Sequence, residues 1–220
     1  MTNNIDKNKR RIPTGEGVME DKKFNDLVYA YLQSISYRDP EKEDRFLFSN
    51  QLNYTKIAKE LRMNLKTLKS KIKYLFDMGY IVEKKGTSST IYRLPNLKDY
   101  YFLIPNETLK YLVDTSNENV IMVYSYLGQL KNGMKDRAYF TKSKLLILLG
   151  YKTKTRQKDE YGNPIYRAST HSRDWERINN ILNLLEKKLK LITTTEQKEY
   201  IDGNTISKFY FDIKTEIEEN

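Results

Sequence analysis

Lys66, Thr67, Ser70 and Lys73 recur at the three- and four-residue spacing that gathers side chains on one face of a helix. Leu65, Leu68, Ile72, Leu75 and Phe76 fall in the opposite sector, and Lys69 and Lys71 stand on the shoulders. The chemistry such a ridge offers is positive charge and hydrogen bonding toward a polyanion. Just upstream, Thr55 is expected to cap a short helix buried through Ile57, Ala58 and Leu61, with small Ala58 allowing a close crossing. The chain turns at Arg62 and Met63, and Asn64 caps the second helix. Residues 54–78 therefore predict a helix-turn-helix whose lysine face has the shape that enters a major groove. The same pattern also fits an amphipathic helix pair with a solvated lysine face.

The surrounding elements extend that unit. Gly79 is placed to end the second helix, residues 80–85 and 90–94 have strand composition, and 86–89 is turn material. A helix followed by such a hairpin is the order of a winged helix. Upstream, Phe24, Leu27, Val28, Tyr31, Leu32 and Ile35 predict a helix over 20–36, and residues 45–49 a short strand that closes the wing's sheet. The first domain is expected over 20–95, after a disordered basic tail at 1–19 carrying Lys7, Lys9, Arg10 and Arg11. That tail reads either as an arm along DNA or as a solvated end. Residues 96–118 are expected to be a linker with a short strand and helix.

Composition narrows the classes of function. The 220 residues carry a formal net charge of +10 and a pI near 9.4, which favours nucleic acid or an anionic membrane surface as partner. No run approaches the length of a membrane span, and the N-terminal residues hold no apolar signal-peptide core, so a soluble cytoplasmic protein is expected. Cysteine is absent, and His171 is the one histidine, so thiolate and histidine-rich metal sites cannot be built. No GxxxxGK[ST] or GxGxxG string occurs. No cofactor is expected.

A second copy of the module is expected over 119–220. Residues 28–32 (VYAYL) are echoed by 123–127 (VYSYL), and 45–48 by 137–140. Thr141 is placed to cap a helix carrying Leu145, Leu146, Leu148 and Leu149 that ends at Gly150. Ile72, Leu75 and Phe76 are matched with Ile181, Leu184 and Leu185. Strands at 190–200 and 205–213 meet at Asp202, Gly203 and Asn204, a hairpin turn. Between Gly150 and the long helix lies a basic insertion, 151–168, with Lys152, Lys154, Arg156, Lys158 and Arg167; it reads as a hairpin against phosphates, a partner contact or a plain surface loop. The helix after it, about 169–190, is expected to bury Trp175, Ile178, Leu182, Leu185 and Leu189 and to expose Ser169, Ser172, Arg173, Glu176, Asn180 and Asn183. Asparagine and arginine suit adenine and guanine edges, and glutamate can accept from cytosine.

With both modules in view, the chain resembles the tandem winged-helix replication initiators of plasmids and phages. The likeness rests on TKIAKELRMNLKTLKSKIKYLFDMGYI, on YFLIPNETLKYL leading into VYSYLGQL, and on FTKSKLLILLGY, and spans most of 20–213. It implies an α+β, mainly helical chain of two tandem winged-helix domains that dock in successive major grooves of a repeated origin element. The insertion departs from the compact module and leaves the docking of the second recognition helix open. The resemblance also brings in a homodimer formed through the first module, as in members that repress their own promoter.

The expected function is sequence-specific binding of double-stranded DNA, at a replication origin or, alternatively, at an operator as a transcriptional or copy-number repressor. Asn64, Lys66, Thr67, Lys69, Ser70 and Lys73 line one groove and Ser169, Ser172, Arg173, Glu176, Asn180 and Asn183 another. Lys84, Lys85, Arg156 and Lys208 hold phosphates, which position the protein while base contacts specify the site. Further candidate partners are a second copy of the chain and a helicase or helicase loader, and the sequence decides neither. An enzyme is not expected: His171, Ser172 and Arg173 faintly resemble part of a tyrosine-recombinase site, but the further arginine and the helical catalytic domain cannot be placed. The basic faces also lack the exposed apolar ones of a membrane-surface helix.

Overall fold

The computed structural model describes residues 9–14, 24, 26–39, 44–85, 90–95, 101–133, 138–201 and 203–215. Lys7 of the basic tail, the first wing turn at 86–89, Asp202 of the second hairpin turn and the acidic end at 216–220 lie outside them. Two compact units divide the chain, Met1–Ser125 and Tyr126–Asn220, and the division falls inside the helix Glu118–Gly133.

The first unit is assembled on α1 (Asp26–Ile35), in which every residue from 26 to 34 is buried. Its neighbours are β1 (Lys9–Pro13), β2 (Tyr37–Arg38), β3 (Arg45–Phe48), α2 (Tyr54–Glu60), α3 (Leu65–Asp77), β4 (Val82–Lys85), β5 (Thr90–Leu94), β6 (Tyr101–Pro105) and α4 (Asn106–Thr115). Strands β2, β3, β5 and β4, in that order, form an antiparallel sheet. Helix α1 packs on α4, β1, α3 and β3, and the Tyr31 hydroxyl donates to the Glu60 carboxylate, tying α1 to α2.

The second unit continues from α5 (Glu118–Gly133) through β7 (Tyr139–Phe140), α6 (Lys142–Leu148), β8 (Lys152–Lys158), β9 (Pro164–Ala168) and α7 (Ser172–Asn183). A single π-helical turn, Leu184–Lys188, then leads to β10 (Ile192–Ile201) and β11 (Asn204–Ile213). The sheet order β10, β11, β7 repeats the order β4, β5, β3 of the first unit. In both, the strand before the helix pair joins the second strand of the hairpin that follows it.

Three expectations change. The chain is not mainly helical: helices take 45% and strands 33% of the described residues, in eleven strands. Strand β1 falls on residues expected to be a tail, and β8 and β9 fill a segment that also reads as a plain surface loop. The basic segment at 9–13 is no loose arm. It pairs with β6 from Lys9↔Pro105 to Pro13↔Tyr101, and Ile12 is fully buried. The buried Arg10 guanidinium donates to the Gln33 carbonyl at 2.9 Å, and burial with nearby Arg45 lowers its pKa to about 10. Arg11 lies 4.5 Å from the centre of the Tyr101 ring. Finally, the strand and helix expected in a linker are β6 and α4, which complete the first unit.

A buried carboxyl accompanies α1. Asp26 is 3% exposed, and burial, reinforced by the charge of Glu118, pushes its pKa up to about 8. The folded state therefore holds this proton more tightly than the unfolded chain. Its stabilisation is full below the unfolded pKa near 4 and is lost as pH rises toward 8. Asp26→Asn is expected to flatten the fall in stability between pH 4 and 8 and to stabilise the protein at pH 8 by ~2 kcal/mol. Urea unfolding at pH 5 and pH 8 measures this; the same pH-dependent loss in both proteins would refute it.

Candidate nucleic-acid interface

In the first unit, the cap of α2 is Asn53, not Thr55: its backbone is extended and its side chain accepts from the Lys56 N–H at 3.0 Å. Thr55 lies in the first turn. The helix closes with Arg62 in the left-handed region (φ 49°), Arg62 N–H donating to Lys59 and Met63 N–H to the Ala58 carbonyl at 2.9 Å. This paired closure turns the chain sharply into Asn64, whose side chain accepts from the Lys66 N–H at 2.8 Å and caps α3.

Helix α3 then buries Leu68, Ile72 and Leu75, half-buries Phe76 against Tyr92, and leaves Leu65 37% exposed at its start. Asn64, Lys66, Thr67, Lys69, Ser70 and Lys73 are all exposed, and Lys73 pairs with Asp77 one turn on at 3.3 Å. The Ile81 N–H returns to the Leu75 carbonyl and starts β4, which is exposed throughout and carries Lys84 and Lys85.

The second unit is closed in the same way. Thr141 caps α6, accepting from the Lys144 N–H at 3.2 Å. Gly150 takes the left-handed place (φ 81°), where a side chain would be strained, and Tyr151 N–H reaches the Leu146 carbonyl. Beyond α7, the Leu191 N–H returns to Leu185 as Ile81 returns to Leu75. Those two closures align α3 with α7 at an offset of 110 residues, one more than the sequence match through Ile181, Leu184 and Leu185. Buried Leu68, Ile72 and Leu75 then correspond to buried Ile178, Leu182 and Leu185.

At that offset the exposed ridges also coincide. Lys66, Lys69, Ser70 and Lys73 are replaced by Glu176, Asn179, Asn180 and Asn183, all exposed. Asn179 was missed from the sequence, and the one-residue shift would have found it. Ser172 and Arg173 are exposed in an extra first turn with no counterpart on α3. Helix α3 carries four lysines against Asp77, whereas α7 carries Arg173 and Arg177 against Asp174 and Glu176.

Two expected contact residues are committed elsewhere. Ser169 lies outside the helix and is 6% exposed. Its hydroxyl donates to Asp174 at 2.6 Å and accepts from the His171 N–H, and its carbonyl takes the Trp175 indole N–H at 2.7 Å. Lys208 sits within β11 with its side chain 19% exposed, 2.5 Å from Glu199 and 4.8 Å from the Tyr139 ring centre. The hydrogen bond to Glu199 raises its pKa, so it stays protonated and its charge is balanced by that carboxylate across the hairpin. Arg156 is exposed on the β8–β9 ribbon, which fills the place of the short turn in the first unit.

Among the described residues, no group of three or more His, Cys, Asp or Glu side chains gathers as a metal site, and no helix is long and apolar enough to cross a membrane. Comparison with protein-family models, characterised proteins and solved structures found no match to this chain.

Ser169 thus anchors the start of α7. Ser169→Ala is expected to destabilise the protein by about 1–2 kcal/mol, because Asp174 and the His171 N–H each lose a hydrogen-bond partner. Urea unfolding reads the loss, and a variant as stable as the wild type would remove Ser169 from this anchoring role.

Proposed function

We propose that the chain binds double-stranded DNA sequence-specifically, presenting α3 and α7 to major grooves as the recognition helices of two winged-helix units. The observation that carries this reading is the recurrence, at one fixed offset, of the same exposed ridge above the same buried stripe. Packing explains the stripe. The opposite face is exposed as a consequence, and what supports the reading is the choice of residues there: Lys66, Ser70 and Lys73 in one unit, Glu176, Asn180 and Asn183 in the other.

The chemistry of the two ridges divides the labour. Lysines on α3, with Lys84 and Lys85 on β4, suit phosphates and guanine edges. Asn180 and Asn183 suit adenine, Arg173 guanine, and Glu176 the amino group of cytosine. A chain with two unlike ridges reads an asymmetric site, whereas an inverted repeat mirrors a two-fold symmetric dimer. On this ground we favour a replication initiator acting at directly repeated origin sites over a repressor at a palindromic operator. A helicase or helicase loader would be the protein partner in that role.

The test begins by selecting a preferred duplex from a random pool. Contacts to ~6 phosphates give a slope of log K against log salt of about −5. Lys73→Ala is expected to weaken binding to selected and random duplexes alike. Asn180→Ala is expected to cost ~1–3 kcal/mol on the selected site and to leave random DNA unchanged. Equal losses on both for Asn180→Ala would remove its base-reading role. A footprint on direct repeats beside an AT-rich tract supports initiation; one on an inverted repeat across a promoter overturns it in favour of repression.

A further inference from the structure

The face of α7 sets a problem. Its charges balance, and Glu176, Asn179, Asn180 and Asn183 bring no net positive charge to a groove walled by phosphates. The charge is found on the ribbon inserted immediately before that helix.

Along β8 the cations alternate: Lys152, Lys154, Arg156 and Lys158, with Thr153, Thr155 and Gln157 between. The pairs Lys152↔Ala168, Lys154↔Tyr166 and Lys158↔Pro164 set the three lysines on one side of the ribbon, since cross-strand partners share a face. Arg156 is exposed in the irregular stretch between them. The Lys152 ammonium lies 4.3 Å from the centre of the Tyr166 ring, which steadies the ladder. The acids Asp159 and Glu160 are confined to the tip, where Asp159 organises the turn by accepting from the Tyr161 and Asn163 N–H groups. A ribbon with a cationic flank and an acidic tip suits lying along a polyanion better than pointing into one.

Its base is fastened to the recognition helix. Ser169 N–H donates to the Tyr151 carbonyl at 2.9 Å, closing the insertion, and Arg177 of α7 lies 5.3 Å from the centre of the Tyr151 ring. The ribbon therefore leaves the body of the unit at the end of α7 that carries Ser172 and Arg173.

We propose that the β8–β9 ribbon is a sequence-independent arm that runs along the duplex-DNA phosphates flanking the groove entered by α7, with Lys152, Lys154, Arg156 and Lys158 as its contacts. This rests on the duplex-binding reading above and adds the positive surface that a reading helix of zero net charge lacks. Seven strand residues at about 3.3 Å each reach about 23 Å, roughly seven base pairs beyond the helix contacts.

The test uses the full chain with all four cations replaced by glutamine, measured on selected and random duplexes across a salt series. The salt slope is expected to become shallower by about 3–4, with at least tenfold weaker binding at 0.1 M salt and an unchanged preference for the selected site. Ethylation interference is expected to lose a block of about four phosphates on one side of the site. If wild type binds duplex DNA and the variant keeps its slope and phosphate block, the arm is overturned while the recognition-helix reading stands. Absence of duplex binding by wild type overturns both. A lost site preference at constant slope also overturns the arm, because the ribbon would then be reading bases. Should the fourfold variant melt early, the Lys154→Glu, Arg156→Glu pair in a chain with wild-type melting gives the same readout, and unweakened binding there overturns the proposal.

Discussion

A left-handed residue just past the C-cap of a seven-residue helix sets the geometry of both units: Arg62 at φ 49° and Gly150 at φ 81°. Each lets two successive N–H groups fold back on the helix they have just left, which satisfies its last carbonyls and redirects the chain within two residues. Without that reversal, the second helix could not cross the first with one stripe buried and one ridge free. The lysine and asparagine ridges are thus consequences of a backbone constraint two turns upstream. Gly150 accepts the conformation without a Cβ penalty. Arg62 meets it with a side chain in place, so the first turn is held against a modest local cost.

Charge is distributed with the same economy of position. Arg10 and Arg11, which look like a free basic arm, are absorbed into the β1–β6 pair and against Tyr101. Lys208 is absorbed by Glu199 across its hairpin. Exposed cations are spread over the described surface, Lys56, Lys59, Lys110, Lys187, Lys188 and Lys198 among them, and they follow one another closely on α3, β4 and β8. A net charge of +10 therefore says less about function than where on the fold its cations stand close together.

Much of this is legible in the amino-acid sequence. The buried stripes of α1 and α3, the caps at Asn64 and Thr141, the ends at Gly79 and Gly150 and the ribbon in the insertion follow from local rules of spacing and capping. What escaped depended on partners far away in sequence. β1 is a strand because β6 lies beside it, nearly a hundred residues on, and nothing in KRRIP announces that. Ser169 looks like one more exposed polar residue until Asp174 and Trp175 close around it. The 110-residue offset escaped because apolar residues occur at both 184 and 185; only the Leu191-to-Leu185 closure decides which one is equivalent to Leu75.

The ribbon occupies a place in the second unit where an insertion leaves the helix crossing intact. It begins after Tyr151, once the reversal at Gly150 is complete, and ends at Ser169, whose N–H returns to the Tyr151 carbonyl. From the body of the unit, the insertion is therefore a single closed step, and α7 starts where it could have started without it. A loop confined in this way is free to vary in length and charge without disturbing the core, because its closure entropy grows only slowly with length. Two faces of α7 then answer to different constraints: Ile178, Leu182 and Leu185 to packing, and the exposed ridge together with its neighbouring ribbon to whatever lies outside. That separation is what lets a chain keep one module twice and give each copy a different chemistry.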